Sequence, residues 1–465
     1  MTGRAVLGPH EPRRSLVKLR LDFDYEAFVA ENRAPDLLRH LAETLNINAA
    51  DIALVDLRSG CVILVISLPE DKAAELLRLA SSGPGRAALA GNIRLLSVRE
   101  GDVIEAAPLS HLHQSKFESH LSWLHISDMH ITADFADNTS DTAADLERFL
   151  EDLPSCLEEA EIAPDAVFFT GDVAQSGAAE EYESAETFFV ELQERLPHQS
   201  RFAPLIIVPG NHDVTWDAID PKTELKLRRE LSNTNNADAI CDAADAYIRE
   251  RHRNYEDFLI SGKSAIRVPG DGERFFAHKF FAPVRGVEVG VAAFDSALLS
   301  TRKDLVGKAT ASAVGDLDLQ FLRLGRRQLR SVAAPLKDCT IRIALMHHEP
   351  LSEWYADPDR ELQRQELTKY DFVLRGHQHE TRARVAPKIA GSDDFIELAP
   401  GALHTQPHWF QGFMAVELDL KSHLMRVTVW SVTGHARRWM RDREFGEDGR
   451  TLRALPDKVI RRLRD

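Results

Sequence analysis

Short apolar runs that end in Asp, Asn or His recur along the second part of the chain. The run at 205–208 is stopped by Pro209 and Gly210, and Asn211-His-Asp213 follows at once. A short, continuous apolar run predicts a strand that is buried on both faces. Four other runs share this pattern and end in Asp128-Met-His130, Thr170-Gly-Asp172, His347-His348 and Arg375-Gly-His377-Gln-His379.

The segments between these runs have the spacing of amphipathic helices. Residues 141–160 and 178–196 place apolar side chains on one face, which is typical of a helix that connects two parallel strands. The carboxyl ends of parallel strands open on one crevice, so polar side chains that are distant in the sequence meet there. The pattern therefore predicts an α/β fold with one polar site at the edge of its sheet.

The side chains predicted at this edge offer oxygen and imidazole nitrogen, and the motifs contain no thiolate. Such donors favour a hard or borderline divalent ion, with Mn as the first expectation and Fe or Zn as alternatives. The set is too large for one ion. Two ions about 3.5–4 Å apart that share a carboxylate can stabilise both the attacking and the leaving oxygen of a phosphoryl transfer. The sequence thus predicts two divalent metal ions.

The ordered motifs resemble those of the calcineurin-like metallophosphoesterase superfamily. The motifs are Asp128-x-His130, Gly171-Asp172, Gly210-Asn-His-Asp213, His347-His-x-Pro350 and Gly376-His-x-His379. The resemblance covers residues 121–435 and implies a two-sheet αββα sandwich that carries the site of a metal-dependent phosphoric ester hydrolase. It implies one metal bound by Asp128, His130, Asp172 and His379, and a second bound by Asn211, His347 and His377, with Asp172 bridging the two.

The same resemblance implies a mechanism. A hydroxide that bridges the metals would attack phosphorus in line, and His212 would face the substrate phosphate. His212 would act as proton donor to the leaving oxygen or as a cation that stabilises the transition state. Asn211 is expected to contact the substrate as well as a metal, and His348 and His404 are further candidates for substrate contact.

The substrate is less well defined than the reaction. Taken together, the motifs resemble those of the bacterial cyclic-nucleotide phosphodiesterase branch of the superfamily. This resemblance implies a phosphodiesterase that acts on a cyclic or other small nucleotide. A nuclease on single-stranded or end-exposed nucleic acid is one alternative, and a signalling or defence adaptor with secondary hydrolysis is another. A protein Ser/Thr phosphatase is not expected, because Gln175 and Ser176 stand where that subfamily carries Asp and Arg.

Residues 1–100 form a separate predicted unit of ferredoxin-like α+β type. Apolar and polar residues alternate at 17–24, which predicts a strand with one solvated face, and Pro35 and Pro69 each precede a helical pattern. The predicted order β-α-β-β-α-β is that of the ferredoxin-like motif. The unit is interpreted as a recruitment, dimerisation or sensing module that binds a protein partner or a second copy. A domain that only stabilises the enzyme is the alternative.

Three other segments complete the domain assignment. Residues 101–120 are predicted to be a linker. Residues 216–262 are helical and highly charged, and they are interpreted either as a cap insertion that limits substrate size or as a solvated face. Residues 436–465 form an Arg-rich tail, interpreted as ending in a short amphipathic helix packed on another subunit or domain, with a nucleic-acid-binding arm as the alternative.

The net charge and the cysteine content indicate which binding partners and which cellular compartment to expect. A net charge of −16 disfavours long polyanions, whereas a small nucleotide remains compatible because bound metals reverse the local field. The 4 cysteines are scattered, which favours free thiols in a reducing compartment. The sequence shows neither a signal peptide nor an apolar run that could span a bilayer. The expected location is therefore the cytoplasm, without a membrane partner.

Overall fold

The structure is a computed structural model of the 465-residue chain. The chain divides into two compact units, Met1–Gln114 and Ser115–Asp465. The residues that the structure describes are 14–22, 37, 40–42, 44–45, 47, 52–58, 63–80, 94–100, 119–133, 135, 140–200, 203–232, 237–260, 273–284, 286–301, 322–352, 355, 357–378, 382–385, 395–404, 410–433, 438–445 and 449–464.

The first unit is a four-stranded antiparallel sheet with helices. The order of its strands across the sheet is β2-β3-β1-β4, and α1 packs on β1, β3 and β4. Helical backbone also occurs at 37, 40–42 and 44, between the first two strands. This is the succession of elements that the sequence predicts. The elements are β1 (Arg14–Asp22), β2 (Ala53–Arg58), β3 (Ile63–Pro69), α1 (Glu70–Ala80) and β4 (Arg94–Glu100).

The larger sheet of the second unit has seven strands. Its three parallel strands are β5 (His120–Ile126), β6 (Ala166–Thr170) and β7 (Leu205–Val208). On the other side of β5 the sheet continues with antiparallel strands, β14 next to β5, then β15 and then β16, and β17 also pairs with β15. These four strands are β14 (Gly412–Asp419), β15 (Leu424–Thr433), β16 (Arg438–Arg441) and β17 (Arg450–Ala454).

The second sheet has six strands, in the order β12-β13-β11-β10-β9-β8. Its central strands β9, β10, β11 and β13 are parallel, and they are buried over almost their whole length. The strands are β8 (Phe276–Phe281), β9 (Glu288–Ala293), β10 (Ile341–Leu345), β11 (Phe372–Leu374), β12 (Arg382–Val385) and β13 (Ile396–Ala399).

The two sheets pack face to face with helices on both outer surfaces. Trp123 and Phe168 of the first sheet share one buried cluster with Ile343 and Phe372 of the second. The helices α2 and α3 cover the outer face of the first sheet, and α7 covers that of the second. This confirms the predicted αββα sandwich. The helices of the unit are α2 (Asp141–Ala160), α3 (Ala179–Arg195), α4 (Pro221–Ser232), α5 (Ala237–Ala243), α6 (Asp245–Ile260), α7 (Gly325–Ala333), α8 (Asp357–Leu367) and α9 (Asp457–Arg464).

The predicted insertion after β7 forms α4, α5 and α6. Some of its charged side chains are buried and pair with one another. Glu224 accepts hydrogen bonds from Arg228 Nε at 2.9 Å and from Arg251 Nη1 at 3.1 Å, and all three side chains are buried. Tyr255 of α6 donates a hydrogen bond to the Ile207 carbonyl of β7 at 3.2 Å. The charge run is therefore more than a solvated face, and a role in limiting substrate size stays a prediction.

The predicted boundary at residue 435 is wrong, because the remaining segment is part of the second unit. Strands β16 and β17 belong to the larger sheet, and α9 places Val459 in the core between the sheets. Arg462 of α9 donates hydrogen bonds to the Thr340 carbonyl and to the Asp371 carboxylate. The helix that was expected to pack on another subunit or domain thus completes its own fold.

Candidate metal centre

The candidate site lies where strands of both sheets end. Asp128 and His130 follow β5, Asp172 follows β6, and the Asn211–Asp213 turn follows β7. In the second sheet, the His347 motif follows β10 and the His377 motif follows β11. Both sets of strands present their carboxyl ends to this edge, which brings together motifs that lie up to 249 residues apart in the sequence.

Four of these residues have left-handed backbone, which is rare outside glycine and costs about 1–3 kcal/mol at each position. Such conformations persist only where the surrounding fold enforces them, and they cluster at functional sites. The turn after each strand therefore bends sharply enough to aim a side chain back over the sheet edge. The φ angles are 55° at Asp128, 47° at His130, 55° at Asp172 and 70° at His377.

Close approach of the chain at these turns requires glycine. A Cβ atom at Gly210 would lie 2.2 Å from Asp172 Oδ1, and one at Gly376 would lie 2.5 Å from Asp128 Oδ2. Real Cβ atoms do not approach other heavy atoms this closely. The glycines of the motifs thus make room for the carboxylates rather than provide only flexible turns.

His347 is the point at which the donor atoms converge. Its Nε2 atom lies 3.2 Å from Asp172 Oδ2, 3.1 Å from Asn211 Oδ1 and 3.1 Å from His377 Nδ1. Its other ring nitrogen, Nδ1, lies 2.8 Å from the Thr170 carbonyl oxygen. A carbonyl oxygen can only accept, so Nδ1 carries a proton, and Nε2 is the atom that would face a bound metal once it has given up its own proton.

This arrangement tests whether a metal fits. His347 Nε2 lies within 3.2 Å of both the Asp172 and the Asn211 oxygen, so positive charge is needed there, supplied either by a ring proton or by a metal ion. Burial disfavours the charged His347 ring, but the Asp172 and Asp128 carboxylates and the hydrogen bond to Thr170 together outweigh burial and raise its pKa to about 9. These oxygen and nitrogen atoms are the donor set that a borderline divalent cation prefers. The residues present therefore fit a metal.

His130 and His212 complete the other side of the cluster. His130 Nε2 lies 3.5 Å from Asp172 Oδ2 and 3.9 Å from Asp128 Oδ1. The His130 and His212 rings meet edge to face, with centroids 4.5 Å apart. His130, Asp172 and His212 place ligand atoms within 4.8 Å of one another, as do Asp128, Asp172 and His347. Asp172 belongs to both groups, which is the position expected of a bridging carboxylate.

The surroundings of Asp172 keep it ionised. Burial would raise the pKa of the Asp172 carboxyl, but the His347, His212 and His130 rings outweigh burial and hold the pKa well below its ordinary value. Its Oδ1 atom also accepts the backbone N–H of His212 at 2.8 Å. A buried carboxylate that is kept charged by imidazole rings is suited to bind a cation.

His212 is held by its backbone and by one ring nitrogen. Its Nδ1 atom lies 2.7 Å from the Gln175 carbonyl oxygen and donates a proton to it. The ring is only partly buried, and its centroid lies 5.4 Å from that of Trp216. In the sequence, Gln175 was notable only because protein Ser/Thr phosphatases carry a different residue there. Its contact with His212 uses the backbone carbonyl, which every residue type has, so the sequence could not indicate it.

The two further candidates for substrate contact are both buried. His348 Nδ1 lies 3.0 Å from Ser296 Oγ, and burial holds the pKa of His348 well below its ordinary value. His404 Nδ1 lies 3.4 Å from the Asp128 carbonyl oxygen, and its ring centroid lies 5.1 Å from that of His130. Both rings adjoin the cluster and contact residues that form it. The predicted ligand His379 lies outside the described residues.

Ser296 is a contributor that the sequence analysis missed. Its Oγ atom accepts the backbone N–H groups of His347 and His348, each at 3.1 Å, in addition to its contact with the His348 ring. One buried hydroxyl thus fixes the turn that carries the candidate ligand His347. The sequence feature that could have identified Ser296 is its position directly after Asp295, at the end of another apolar run.

Comparison with known proteins identifies the class. The model of the calcineurin-like phosphoesterase family matches residues 121–381, more than half of the chain. The chain therefore belongs to this family, and it is a metal-dependent phosphoester hydrolase. The family typically binds divalent metals, in agreement with the donor groups described above. No curated protein matches the chain.

Three solved structures give only distant similarity. A single mutant of Vps29 from Entamoeba histolytica is 11% identical, with 69% of this chain and 98% of that chain covered and a TM-score of 0.28. A predicted phosphoesterase from Streptococcus pneumoniae TIGR4 is 11% identical, with 72% and 98% covered and a TM-score of 0.24. Vps29 from Chaetomium thermophilum is 9% identical, with 72% and 96% covered and a TM-score of 0.27. Similarity at this level adds nothing to the family assignment.

None of the helices in the described part of the chain has the length and apolar character that a membrane crossing requires.

Proposed function

We propose that the chain is a phosphodiesterase that hydrolyses a cyclic or other small nucleotide with two divalent cations, Mn first among them. The observation that carries the proposal is the convergence of Asp172, Asn211 and His377 on His347 Nε2, at 3.1 to 3.2 Å. In this proposal Asp172 is shared between the two cations. One would be held by Asp128, His130, Asp172 and His379, and the other by Asn211, His347, His377 and Asp172.

The cations would supply positive charge to the phosphoryl oxygens and lower the pKa of a water molecule towards neutrality. The protein's own groups then orient the ester. His212 Nδ1 is bound to the Gln175 carbonyl, so the protonated ring has only its Nε2–H to offer to the substrate. In this proposal that proton passes to the leaving oxygen as the bond from phosphorus to that oxygen breaks.

The small substrate is supported by charge and by an aromatic side chain. A net charge of −16 works against long polyanions. The Trp216 ring, 5.4 Å from His212, offers an apolar surface beside the reacting phosphate. A nucleobase or other planar group is the natural contact for such a ring. The N-terminal unit is proposed to recruit a protein partner or a second copy.

The experiment that tests the function compares bis(p-nitrophenyl) phosphate with p-nitrophenyl phosphate, using chelator-stripped protein with and without Mn²⁺. We expect metal-dependent cleavage that favours the diester, and its loss in Asp172→Ala. The control is Asp217→Ala, which removes an exposed carboxylate four residues beyond Asp213. Activity that survives in Asp172→Ala, or protein that binds no metal, would contradict the proposal.

Salt dependence separates a small nucleotide from a nucleic acid. Contacts to a polymer release counterions, so cleavage of an oligonucleotide would weaken steeply with salt, whereas hydrolysis of a cyclic mononucleotide would not. Robust, salt-sensitive cleavage of single-stranded oligonucleotides together with inert cyclic nucleotides would favour a nuclease. Removal of residues 1–100 with turnover unchanged and partner binding lost would favour an adaptor.

His212→Ala is expected to lower kcat/KM by about 10²–10⁴-fold because a positioned proton donor is lost. The loss should be larger for a diester with an alkoxide leaving group than for one that releases p-nitrophenolate, which needs little protonation. Equal losses would show that His212 acts by its charge alone. The exposed His198→Ala serves as the matched control, with metal content measured in both variants.

A further inference from the structure

The segment 175–177 supports the ring of His212. The Gln175 carbonyl oxygen accepts the His212 Nδ1–H at 2.7 Å, and this contact determines which ring nitrogen is left to face the substrate. A backbone carbonyl can hold a ring in one orientation only if the chain that carries the carbonyl is itself held in place. The contacts that hold the segment 175–177 therefore determine the orientation of the His212 ring.

The chain just after His212 pairs with this segment. The Trp216 N–H donates to the Ser176 carbonyl at 3.2 Å, and Thr215 Oγ1 donates to the Gly177 carbonyl at 3.2 Å. Each of the three carbonyls of the segment thus accepts a hydrogen bond from His212 or from a residue shortly after it. These contacts are local, and they leave open what holds the paired segments relative to the rest of the fold.

The first turn of α3 supplies one of the outer contacts. The carboxylate of Glu181 is buried, and its Oε2 atom accepts the backbone N–H groups of Ser176 and Ala178 at 2.9 and 3.0 Å. Its Oε1 atom accepts the Ser176 hydroxyl at 2.9 Å. Three hydrogen bonds of normal length to one buried carboxylate leave the segment little freedom to shift.

Helix α6 of the insertion supplies the other outer contact. Asn254 Nδ2 donates to the Gly177 carbonyl at 2.8 Å, which is the shorter of the two hydrogen bonds that this oxygen accepts. The Arg251 carbonyl, one turn earlier in α6, accepts the Thr215 N–H at 2.7 Å. The helix is anchored to β7 by the Tyr255 hydrogen bond described above. One helix of the insertion therefore contacts both of the paired segments beside His212.

We propose that α6 of the insertion positions the His212 ring, and that Asn254 is the residue through which it acts. Glu181 holds the same segment from α3, so two helices share the task. The inference rests on the proposed function for what the ring does once it is positioned. It gives the insertion a role in supporting a catalytic residue, which is separate from any effect on substrate size.

The orientation of the ring can be measured without turnover. In full-length, metal-free protein labelled with ¹⁵N-histidine, NMR shows which ring nitrogen carries the proton, and the His212 signal is identified by its absence in His212→Ala. At about pH 9, where free imidazole is neutral, we expect the wild-type His212 ring to be protonated on Nδ1. Asn254→Asp keeps the shape of the side chain but has no N–H for the Gly177 carbonyl, so both tautomers should appear.

Two further variants make this measurement specific. Asn254→Ala removes the donor without adding a charge, and it should give the same mixture of tautomers as Asn254→Asp. Asp257→Ala removes an exposed side chain from the same helix, and it should give the wild-type signal. If Nδ1 stays fully protonated in both Asn254 variants, or if the wild type already shows both tautomers, the inference is overturned.

A double-substitution cycle gives a second readout, with Mn²⁺ and bis(p-nitrophenyl) phosphate. We expect Asn254→Ala to lower kcat about tenfold because His212 is misplaced, with Mn²⁺ affinity within about twofold of wild type. In His212→Ala protein the same substitution should cause no further loss, since residues that act through one group are not additive. Equal losses in both backgrounds would show a merely structural role and would overturn the inference.

The two readouts separate failure of this inference from failure of the proposed function. If His212→Ala keeps full activity, His212 is not the proton donor and that part of the proposed function is wrong. The NMR measurement then still decides whether Asn254 orients the ring, because it needs neither metal nor substrate.

Discussion

Two carboxylates at the ends of neighbouring strands show how the same residue type serves opposite purposes. Asp172 and Asp213 are both buried and lie in the turns that follow β6 and β7. Asp213 accepts the backbone N–H groups of Gly210, Val173 and Ala174 and the hydroxyl of Tyr182, at 2.8 to 3.2 Å. Asp172 accepts one backbone N–H and otherwise lies among imidazole rings.

The difference lies in what satisfies each charge. Four donors from the protein itself surround Asp213, so it ties the Asp172 turn to the Asn211 turn without further help. Burial and the nearby Asp172 charge raise the pKa of Asp213 to about 7, while the rings lower that of Asp172. A carboxylate whose partners are imidazole rings can exchange the ring protons for a metal ion, whereas one whose partners are backbone N–H groups cannot. Asp172 is therefore suited to binding, and Asp213 to holding the fold.

The largest expected effect on folding is that of Asp213→Ala. The substitution leaves three backbone N–H groups buried without an acceptor, and we expect the free energy of unfolding of the metal-free protein to fall by about 3 kcal/mol or more. Chemical denaturation with chelator present measures the change. Asp172→Ala should change this free energy far less while it abolishes metal binding. Equal destabilisation by both substitutions would remove the distinction between the two carboxylates.

A smaller effect is expected of Ser296→Ala. Loss of the hydroxyl frees the backbone of His347 and His348, so we expect metal affinity to drop by about 10–100-fold, the range usual for residues that orient a ligand. Titration of chelator-stripped protein with Mn²⁺ measures the affinity. Ser300→Ala is the matched control, because the buried Ser300 hydroxyl has no hydrogen-bond partner among the described residues. Affinity that falls equally in both variants would contradict the role of Ser296.

The smallest effect concerns pH and a third carboxylate at a strand end, Asp295. Burial raises the pKa of Asp295 to about 6, although Arg274 opposes the shift. The folded state therefore favours the protonated form, and the stability it contributes is complete below the unfolded pKa and is lost as pH rises through about 6. Between pH 5 and 7 the wild type should lose about 1 kcal/mol relative to Asp295→Asn. If the unfolding free energies of the two proteins changed equally with pH across this range, the raised pKa of Asp295 would be refuted.

Local sequence pattern was sufficient for most of the elements. The helix predicted at 141–160 is Asp141–Ala160, because Ser140 caps its start by accepting the Ala143 N–H and Glu161 ends it in left-handed backbone. The parallel strands were recognisable because a strand buried on both faces is apolar without interruption.

The segment after residue 435 could not be assigned in this way. Strand β16 has the burial pattern of an edge, with Arg438 and Met440 exposed, so its sequence lacks the apolar run of a central strand. Its place in the sheet follows from pairing with β15, which is a long-range contact. The amphipathic pattern of α9 showed that one face is covered, and gave no information about which surface covers it.

The sequence by itself determined that strand ends carry Asp, Asn and His, and that these types are donors for a divalent metal. The chemistry of each residue and the spacing of apolar positions are local properties, so both are known before the fold is. Only the tertiary structure decided which of two buried aspartates meets N–H groups and which meets imidazole rings. It also decided that Ser296 supports His347, because a contact across 51 residues depends on how the strands are ordered in the sheet.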